Sequence, residues 1–219
     1  MPTSTWHNLD PARRERVLRA AMAEFGRHGY SAGSLNVIAR EAGVAKGSLF
    51  QYFADKRDLF ATVAEDTGLR VRAEMARYLA GPEPGQSFAD FLCDALDAWV
   101  RYFAKHPLER GVTAATNLEI DPEVRAAVRE PVHRLYLDAL RPLCELARER
   151  GELAPGADLE ALLGMLLLLL PHLAIAPFEP ALDPVLGLYG SDPPSLREPV
   201  RRVVHSLLSG YGVAPTPSR

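Results

Sequence analysis

The chain is poor in the residues that form disulfide frameworks or bind zinc. Its 219 residues include two cysteines, Cys93 and Cys144, which are too far apart in sequence to form a CxxC pair. We expect both to be reduced, buried thiols in a cytoplasmic protein. P-loop, HExxH and CxxC patterns are also missing. These absences predict a protein that is not an enzyme and that holds no cofactor or metal.

Long uninterrupted apolar runs are scarce as well. The longest candidate, residues 161–178, reaches only the minimum length of a membrane-spanning helix. Pro171, His172 and Pro177 interrupt it, and no basic flank would set its orientation. We interpret it as a core or interface helix, and we expect no contact with a membrane.

The alternation of apolar and polar residues that is typical of β-strands is not found over any convincing length. Apolar residues instead recur at helical spacing almost throughout, which predicts an all-α fold. The first long helix is expected to start after Asp10 and to end at Gly26 and Gly29. Pro131 and Pro142 lie inside a later helical pattern and predict a kinked or split helix there.

Positive charge is limited and unevenly distributed. The whole chain has a net charge of -3, which argues against a protein that binds nucleic acid over its whole surface. Residues 1–60, however, hold nine Lys or Arg and six Asp or Glu, and the remainder is acidic. A mildly basic head on an acidic body is typical of a DNA-binding domain joined to a domain that does not touch DNA.

Residues 34–60 have the pattern of a helix-turn-helix, SLNVIAREAGVAKGSLFQYFADKRDLF. Two short helices joined by a Gly-containing turn form this motif, and its second helix enters the major groove of DNA. Gly47 and Ser48 leave the start of that helix sterically open, and Lys46 adds positive charge beside amides that can bind phosphate. Gln51 is expected to face outward, where its amide can read an adenine edge.

The segment resembles the tetracycline-repressor (TetR/AcrR-like) family over about residues 10–65. The matching positions are Phe25, Gly29, Tyr30, Ser34, Ile38-Ala39, Ala42-Gly43-Val44, Lys46–Phe50, Tyr52-Phe53, Lys56 and Leu59-Phe60. The resemblance implies contacts with phosphates or an approach to the DNA backbone by Ser34, Lys46, Gly47, Tyr52 and Lys56. It implies contacts with bases by Ser48 and Gln51.

Two positions depart from the family pattern. Ala45 stands where the family often has a Ser cap, so the second helix of the motif lacks a cap that contributes about 1 kcal/mol. Phe50 stands where a Tyr is common, so a phosphate contact through that hydroxyl is absent.

The resemblance also implies an all-helical homodimer. We predict a helix-turn-helix DNA-binding domain at 1–55, a helical ligand-binding and dimerisation domain at 56–213, and a disordered tail at 214–219. The last two helices would form the dimer interface through the apolar stripes Leu162, Leu163, Leu166, Leu167, Leu170 and Val200, Val203, Val204, Leu207. Because one short helix reads only a few base pairs, a two-fold dimer predicts a palindromic operator.

A small-molecule effector is expected in the C-terminal domain, and the interpretation is a repressor that the effector releases from its operator. A pocket could be lined by Trp99, Phe103, His133, Tyr136, Met165 and His172. Aromatic residues at helical spacing are also typical of plain core, so that alternative stays open for these positions.

Two other functions remain as alternatives. Glu130 and His133 form an E-x-x-H pair, which resembles half of a di-iron carboxylate site. No second E-x-x-H is present, and a surface or lightly buried pair is favoured. The first alternative is an all-helical metal-binding enzyme that uses this pair. The second is a ligand-binding protein that does not recognise DNA.

Overall fold

The computed structural model describes residues 2–212, and these residues form helices and loops without a strand. The predicted all-α fold is therefore confirmed, whereas the predicted tail at 214–219 lies outside the described residues. The helices in chain order are α1 (Ser4–His7), α2 (Pro11–Ala32), α3 (Leu35–Ala42), α4 (Lys46–Tyr52), α5 (Lys56–Glu74), α6 (Ala76–Leu79), α7 (Phe88–Lys105), α8 (Pro107–Asn117), α9 (Pro122–Glu149), α10 (Leu159–Ile175) and α11 (Arg197–Ser209).

The chain divides into two compact units, each built from two separate segments. The first unit holds the residues up to Val71 together with His106–Arg134, and the second holds Arg72–Lys105 together with the residues from Leu135 onward. The division falls inside α5 and inside α9. It does not coincide with the expected domain boundary after residue 55, because the start of α5 and all of α8 pack with the N-terminal helices.

The first unit has an aromatic core between α2, α4 and α5. The Phe25 and Phe60 ring centroids lie 4.8 Å apart, and Tyr30 stacks on Phe60 at 5.7 Å. Val112 and Val124 join this core from α8 and α9. Each large side chain buried here contributes about 1.5–3 kcal/mol of transfer free energy, so the core gives the helix-turn-helix a rigid support.

Helix α2 begins as predicted, since the Asp10 carboxylate accepts the amide N–H of Arg13 at 3.0 Å. Its predicted end is only partly right. Helical dihedral angles are interrupted at Gly29, which has φ 67° and ψ −175°, but the helix resumes to Ala32. Gly26 does not end the helix. It lies where α2 and α8 meet. A Cβ atom there would lie 3.1 Å from the Cα of Gly111, so Gly26 allows α2 and α8 to approach closely.

Helix α9 continues through both of its internal prolines, so it is not split; the kink that the sequence offered as the alternative stays a prediction. It spans 28 residues from Pro122 to Glu149. Each proline removes one backbone hydrogen bond, and the remaining bonds of so long a helix hold the segment together. The Asp121 carboxylate caps its start by accepting the amide N–H groups of Glu123 and Val124 at 2.9 and 3.1 Å.

In the second unit, α7 and α10 pack together. Trp99 of α7 donates its indole N–H to the carbonyl oxygen of Leu170 at 2.8 Å. The leucines expected at the dimer interface are instead mostly core residues of their own unit, because α10 turns this face inward: Leu162, Leu163, Leu166 and Leu170 are buried. Within residues 2–212, no helix combines the length and the hydropathy that a membrane span requires.

Candidate nucleic-acid interface

Helices α3 and α4 form the predicted helix-turn-helix. Ser34 caps α3, since its Oγ accepts the amide N–H of Val37 at 3.4 Å. Gly43 ends α3 in the left-handed region, with φ 67° and ψ 38°, a conformation that favours glycine. Ile38 and Ala42 are buried and anchor α3 on the core, which fixes where α4 starts.

Helix α4 has one buried face and one exposed face. Leu49 and Tyr52 point into the core. Ser48 is half-buried at the edge between the two faces. The exposed face consists of Lys46, Gly47, Phe50 and Gln51. The structure thus places Gln51 outward as the sequence predicts, on the same exposed face as Lys46.

Tyr52 does not lie on this exposed face, so its expected role at a phosphate is not supported. The residue is 3% exposed, and its ring centroid lies 6.0 Å from that of Trp6. Trp6 belongs to α1, which sequence analysis missed. The backbone amide of Thr3 donates to the carbonyl oxygen of Tyr52 at 3.0 Å. Helix α1 therefore covers the end of α4 and takes Tyr52 out of contact with solvent.

Lys56 makes contacts within the protein, and its expected contact with a phosphate stays a prediction. Its ammonium group donates to the carbonyl oxygen of Ser31 at 3.1 Å and lies 4.8 Å above the centre of the Tyr30 ring. Partial burial lowers the pKa of Lys56, against the opposing effect of Glu119 and Glu24. The side chain therefore ties the start of α5 to the end of α2.

The loops on either side of α4 differ in how they are capped. Ala45 precedes α4 with φ −69° and ψ 144°, and it supplies no side-chain hydrogen bond. After α4, a reciprocal pair of contacts starts α5. The Asp55 carboxylate accepts the amide N–H of Asp58 at 2.8 Å, and the Asp58 carboxylate accepts that of Ala54 at 3.1 Å.

Comparison with known proteins shows a family match for the N-terminal part of the chain. Residues 17–63, which run from α2 to α5, match the family model described as bacterial regulatory proteins, tetR family. The N-terminal part of the chain is therefore similar to TetR-family regulators. Its exposed α4 face therefore lies at the position of the DNA-reading helix of a helix-turn-helix.

Among curated relatives, an HTH-type transcriptional repressor of Streptomyces coelicolor is 33% identical over 99 residues, which is 45% of this chain and 46% of the relative. The HTH-type transcriptional repressor AcnR of Corynebacterium diphtheriae is 27% identical over 113 residues, or 52% of this chain and 50% of the relative. The matched part thus spans about half the length of each relative.

Solved structures share the TetR fold over most of the chain. A TetR-family regulator from Chloroflexus aurantiacus is 22% identical with a TM-score of 0.63, and the match covers 98% of this chain and 100% of that one. The regulator FadR from Bacillus subtilis, solved in complex with stearoyl-CoA, is 18% identical with a TM-score of 0.68 and covers 87% of this chain and 96% of its own. These likenesses concern the fold.

The residues expected at an effector pocket are only partly brought together. The Trp99 ring centroid lies 5.0 Å from that of Phe103 and 5.6 Å from that of Tyr136. Burial, together with the nearby Tyr102, raises the pKa of Tyr136. Met165 is 38% exposed instead of lining a pocket.

The two histidines of the expected pocket have other settings. His133 lies in the first unit, where its Nε2 faces the guanidinium of Arg129 at 2.9 Å. Partial burial and the charge of Arg129 lower the pKa of His133, which favours the neutral imidazole. His172 is half-buried near the end of α10.

No metal centre is formed around the E-x-x-H pair in the part of the chain that the structure describes. Nowhere within residues 2–212 do three His, Cys, Asp or Glu side chains lie close enough to hold a metal ion. Glu130 is exposed, and Arg129 places a positive charge at the imidazole of His133, which disfavours a cation there.

The sequence also contains one match to a hydrolase motif, which the structure explains. Gly29-Tyr30-Ser31-Ala32-Gly33 fits the G-x-S-x-G pattern of serine hydrolases. That chemistry needs a sharp strand-to-helix turn that exposes the serine. Here Ser31 lies in the last helical turn of α2, and its carbonyl oxygen accepts from Lys56. The match therefore lies at the end of a helix and not at a nucleophile turn.

Proposed function

We propose that the chain is a transcriptional regulator that binds double-stranded DNA through the exposed face of α4. The observation that carries this proposal is the separation of the two faces of that helix. Leu49 and Tyr52 hold it on the core, and Lys46 and Gln51 remain exposed on the other side. A cation for phosphate and an amide for a base edge are the two kinds of contact that position a DNA reader and give it specificity.

A homodimer on a palindromic operator follows from the same proposal. Helix α10 carries an exposed apolar stripe of Ala161, Gly164, Met165 and Leu168, with Leu168 72% exposed. A second copy that covered this stripe would remove apolar surface from water. It would also place two α4 helices in one assembly, and symmetric readers select inverted repeats. This stripe replaces the leucines that the sequence suggested for the interface.

A small-molecule effector completes the proposal, with the protein acting as a repressor. Support comes from the stearoyl-CoA complex of the FadR relative and from the aromatic group of Trp99, Phe103 and Tyr136 in the second unit. Among the described residues none hydrogen-bonds to the Tyr136 hydroxyl. The hydroxyl can therefore bind a polar atom of a ligand. Release from DNA requires that the effector binds the DNA-free state more tightly.

The DNA-binding part is tested with two exposed lysines. Lys46→Ala removes a charge from the α4 face, whereas Lys105→Ala removes one from the end of α7. We expect Lys46→Ala to weaken binding to all duplexes and to lower the slope of log affinity against log salt by about one. Lys105→Ala should leave both quantities unchanged. Equal behaviour of the two variants in a fluorescence anisotropy titration would contradict the proposed interface.

The dimer is tested with two exposed apolar residues. Leu168→Lys introduces a charge into the α10 stripe, and Ile120→Lys introduces one at an 85% exposed position between α8 and α9. Sedimentation equilibrium should show that only Leu168→Lys shifts the protein to monomers. A wild-type chain that stays monomeric at micromolar concentration would refute the dimer.

The effector is tested with stearoyl-CoA as the first probe. We expect the probe to lower the affinity for operator DNA, and Tyr136→Phe to reduce its effect. Because Tyr136→Phe leaves α4 unchanged, operator affinity without the probe should equal that of wild type. Equal operator affinity with and without the probe would remove this ligand class but would leave the DNA-binding proposal intact.

A further inference from the structure

The exposed face of α4 has an apolar side chain at its centre. At 3.6 residues per turn, Lys46, Gly47, Phe50 and Gln51 share an arc of about 140°. Lys46 and Gln51 lie at the two edges of this arc, and Gly47 and Phe50 lie near its middle. The phenyl ring of Phe50 therefore occupies the part of the helix that would meet the floor of a DNA groove.

Phe50 is more than half exposed to solvent and pairs with no other aromatic ring among the described residues. It is 52% exposed, and none of the aromatic rings among the described residues contacts it. Gly47, one turn earlier, leaves open space beside it, since a Cβ atom there would meet no atom within 4 Å. The ring is thus the single large apolar group on a face that is otherwise polar or bare.

We propose that Phe50 reads the C5-methyl group of a thymine in the major groove, an inference that rests on the proposed DNA-binding function. Thymine is the base that presents an apolar group in this groove, and phenylalanine is among the side chains that contact it. A phenyl ring has neither a donor nor an acceptor, so it cannot recognise the polar edges of the other bases. Phe50 therefore sets a preference for thymine at one position of each half-site.

Substitution of deoxyuridine for thymine tests this inference with a single methyl group. An operator is first recovered by selecting bound duplexes from a random pool with the full-length chain. Each thymine is then replaced by deoxyuridine, which pairs in the same way but lacks the methyl group. We expect one symmetric pair of positions at which wild-type affinity falls about fourfold per half-site, and no comparable loss elsewhere.

Variants assign the loss to the residue. Phe50→Ala should bind the operator more weakly and should show no deoxyuridine penalty at that position. Phe50→Leu, which keeps an apolar group, should retain part of the penalty. Lys46→Ala should weaken binding throughout while keeping the full penalty, and Lys105→Ala should match wild type. Circular dichroism spectra of the variants check that each one folds.

The outcomes separate the inference from the function on which it rests. An operator without a sensitive thymine, or a penalty that persists unchanged in Phe50→Ala, overturns the role of Phe50 while DNA binding stands. Failure of the wild-type chain to enrich any sequence overturns both.

Discussion

Replacing Gly26 with alanine should force apart two helices that now meet backbone to backbone. A Cβ atom at this position would lie 3.1 Å from both the Cα and the carbonyl carbon of Gly111 and 3.3 Å from the amide nitrogen of Val112. All three are backbone atoms of α8, so no side chain can rotate away to relieve the contact. Relief requires α2 and α8 to separate by a few tenths of an ångström, which loosens the core beneath them.

Two opposing effects set the size of the change. Overpacking of this kind costs about 1–3 kcal/mol, whereas alanine in place of glycine in a helix contributes about 1 kcal/mol. The free energy of unfolding should therefore fall by up to about 2 kcal/mol. Gly47→Ala is the matched control, because Gly47 is also helical but has open space around it. It should gain up to about 1 kcal/mol from the helical preference alone.

Urea denaturation of the two variants, followed by circular dichroism without DNA, measures the difference. Gly26→Ala should unfold at a lower urea concentration than wild type, and Gly47→Ala at an equal or higher one. Gly111→Ala should resemble Gly26→Ala, since its Cβ would lie 3.1 Å from the Cα of Gly26. If Gly26→Ala proves as stable as Gly47→Ala, the close approach of α2 and α8 is not a constraint and the reasoning fails.

Three further predictions concern capping, ion contacts and thiols. Ala45→Ser should add the missing cap of α4 and raise stability by about 1 kcal/mol; an unchanged denaturation midpoint would contradict this. Lys56→Met should lower the free energy of unfolding by about 1 kcal/mol in the absence of DNA, because it removes the contacts with Tyr30 and a carbonyl; a wild-type melting temperature would argue against it. Burial raises the pKa of Cys144 to about 11. Brief alkylation of the native protein at pH 8 should therefore label the less buried Cys93 first. Equal labelling of the two cysteines by peptide mass spectrometry would refute this order.

Local signals predicted the helix-turn-helix well. The cap at Ser34, the left-handed turn at Gly43 and the opposite faces of Leu49 and Gln51 each depend on residues within a few positions of one another. Helix periodicity and capping chemistry are short-range effects, and a single sequence contains them. The same holds for the start of α5 at Asp55.

Long-range packing explains what the sequence did not predict. Tyr52 is buried by Trp6, which lies 46 positions earlier in a four-residue helix, and nothing in the neighbourhood of Tyr52 indicates this. The residues around Gly26 look the same whether this glycine ends a helix or allows a second helix to pack closely. Only the position of Gly111 distinguishes these two roles. Lys56 is likewise held by the distant carbonyl of Ser31.

The leucine-rich helix illustrates a third kind of difficulty. Helix α10 is apolar almost all round, so its periodicity does not indicate which face is buried in its own unit. The structure turns Leu162 and Leu166 inward and leaves Met165 and Leu168 outside. The packing of α7 against α10 therefore decides which face of α10 is buried, and the sequence of α10 alone does not indicate it.

Selection of bound sequences from random duplex DNA, with the unmodified chain, tests the central proposal most directly. The proposal predicts enrichment of an inverted repeat whose half-site centres are separated by about 10 base pairs or a multiple of that spacing. A pool that shows no enrichment, or that converges on a single site without two-fold symmetry, would contradict a dimer that reads DNA with the exposed face of α4.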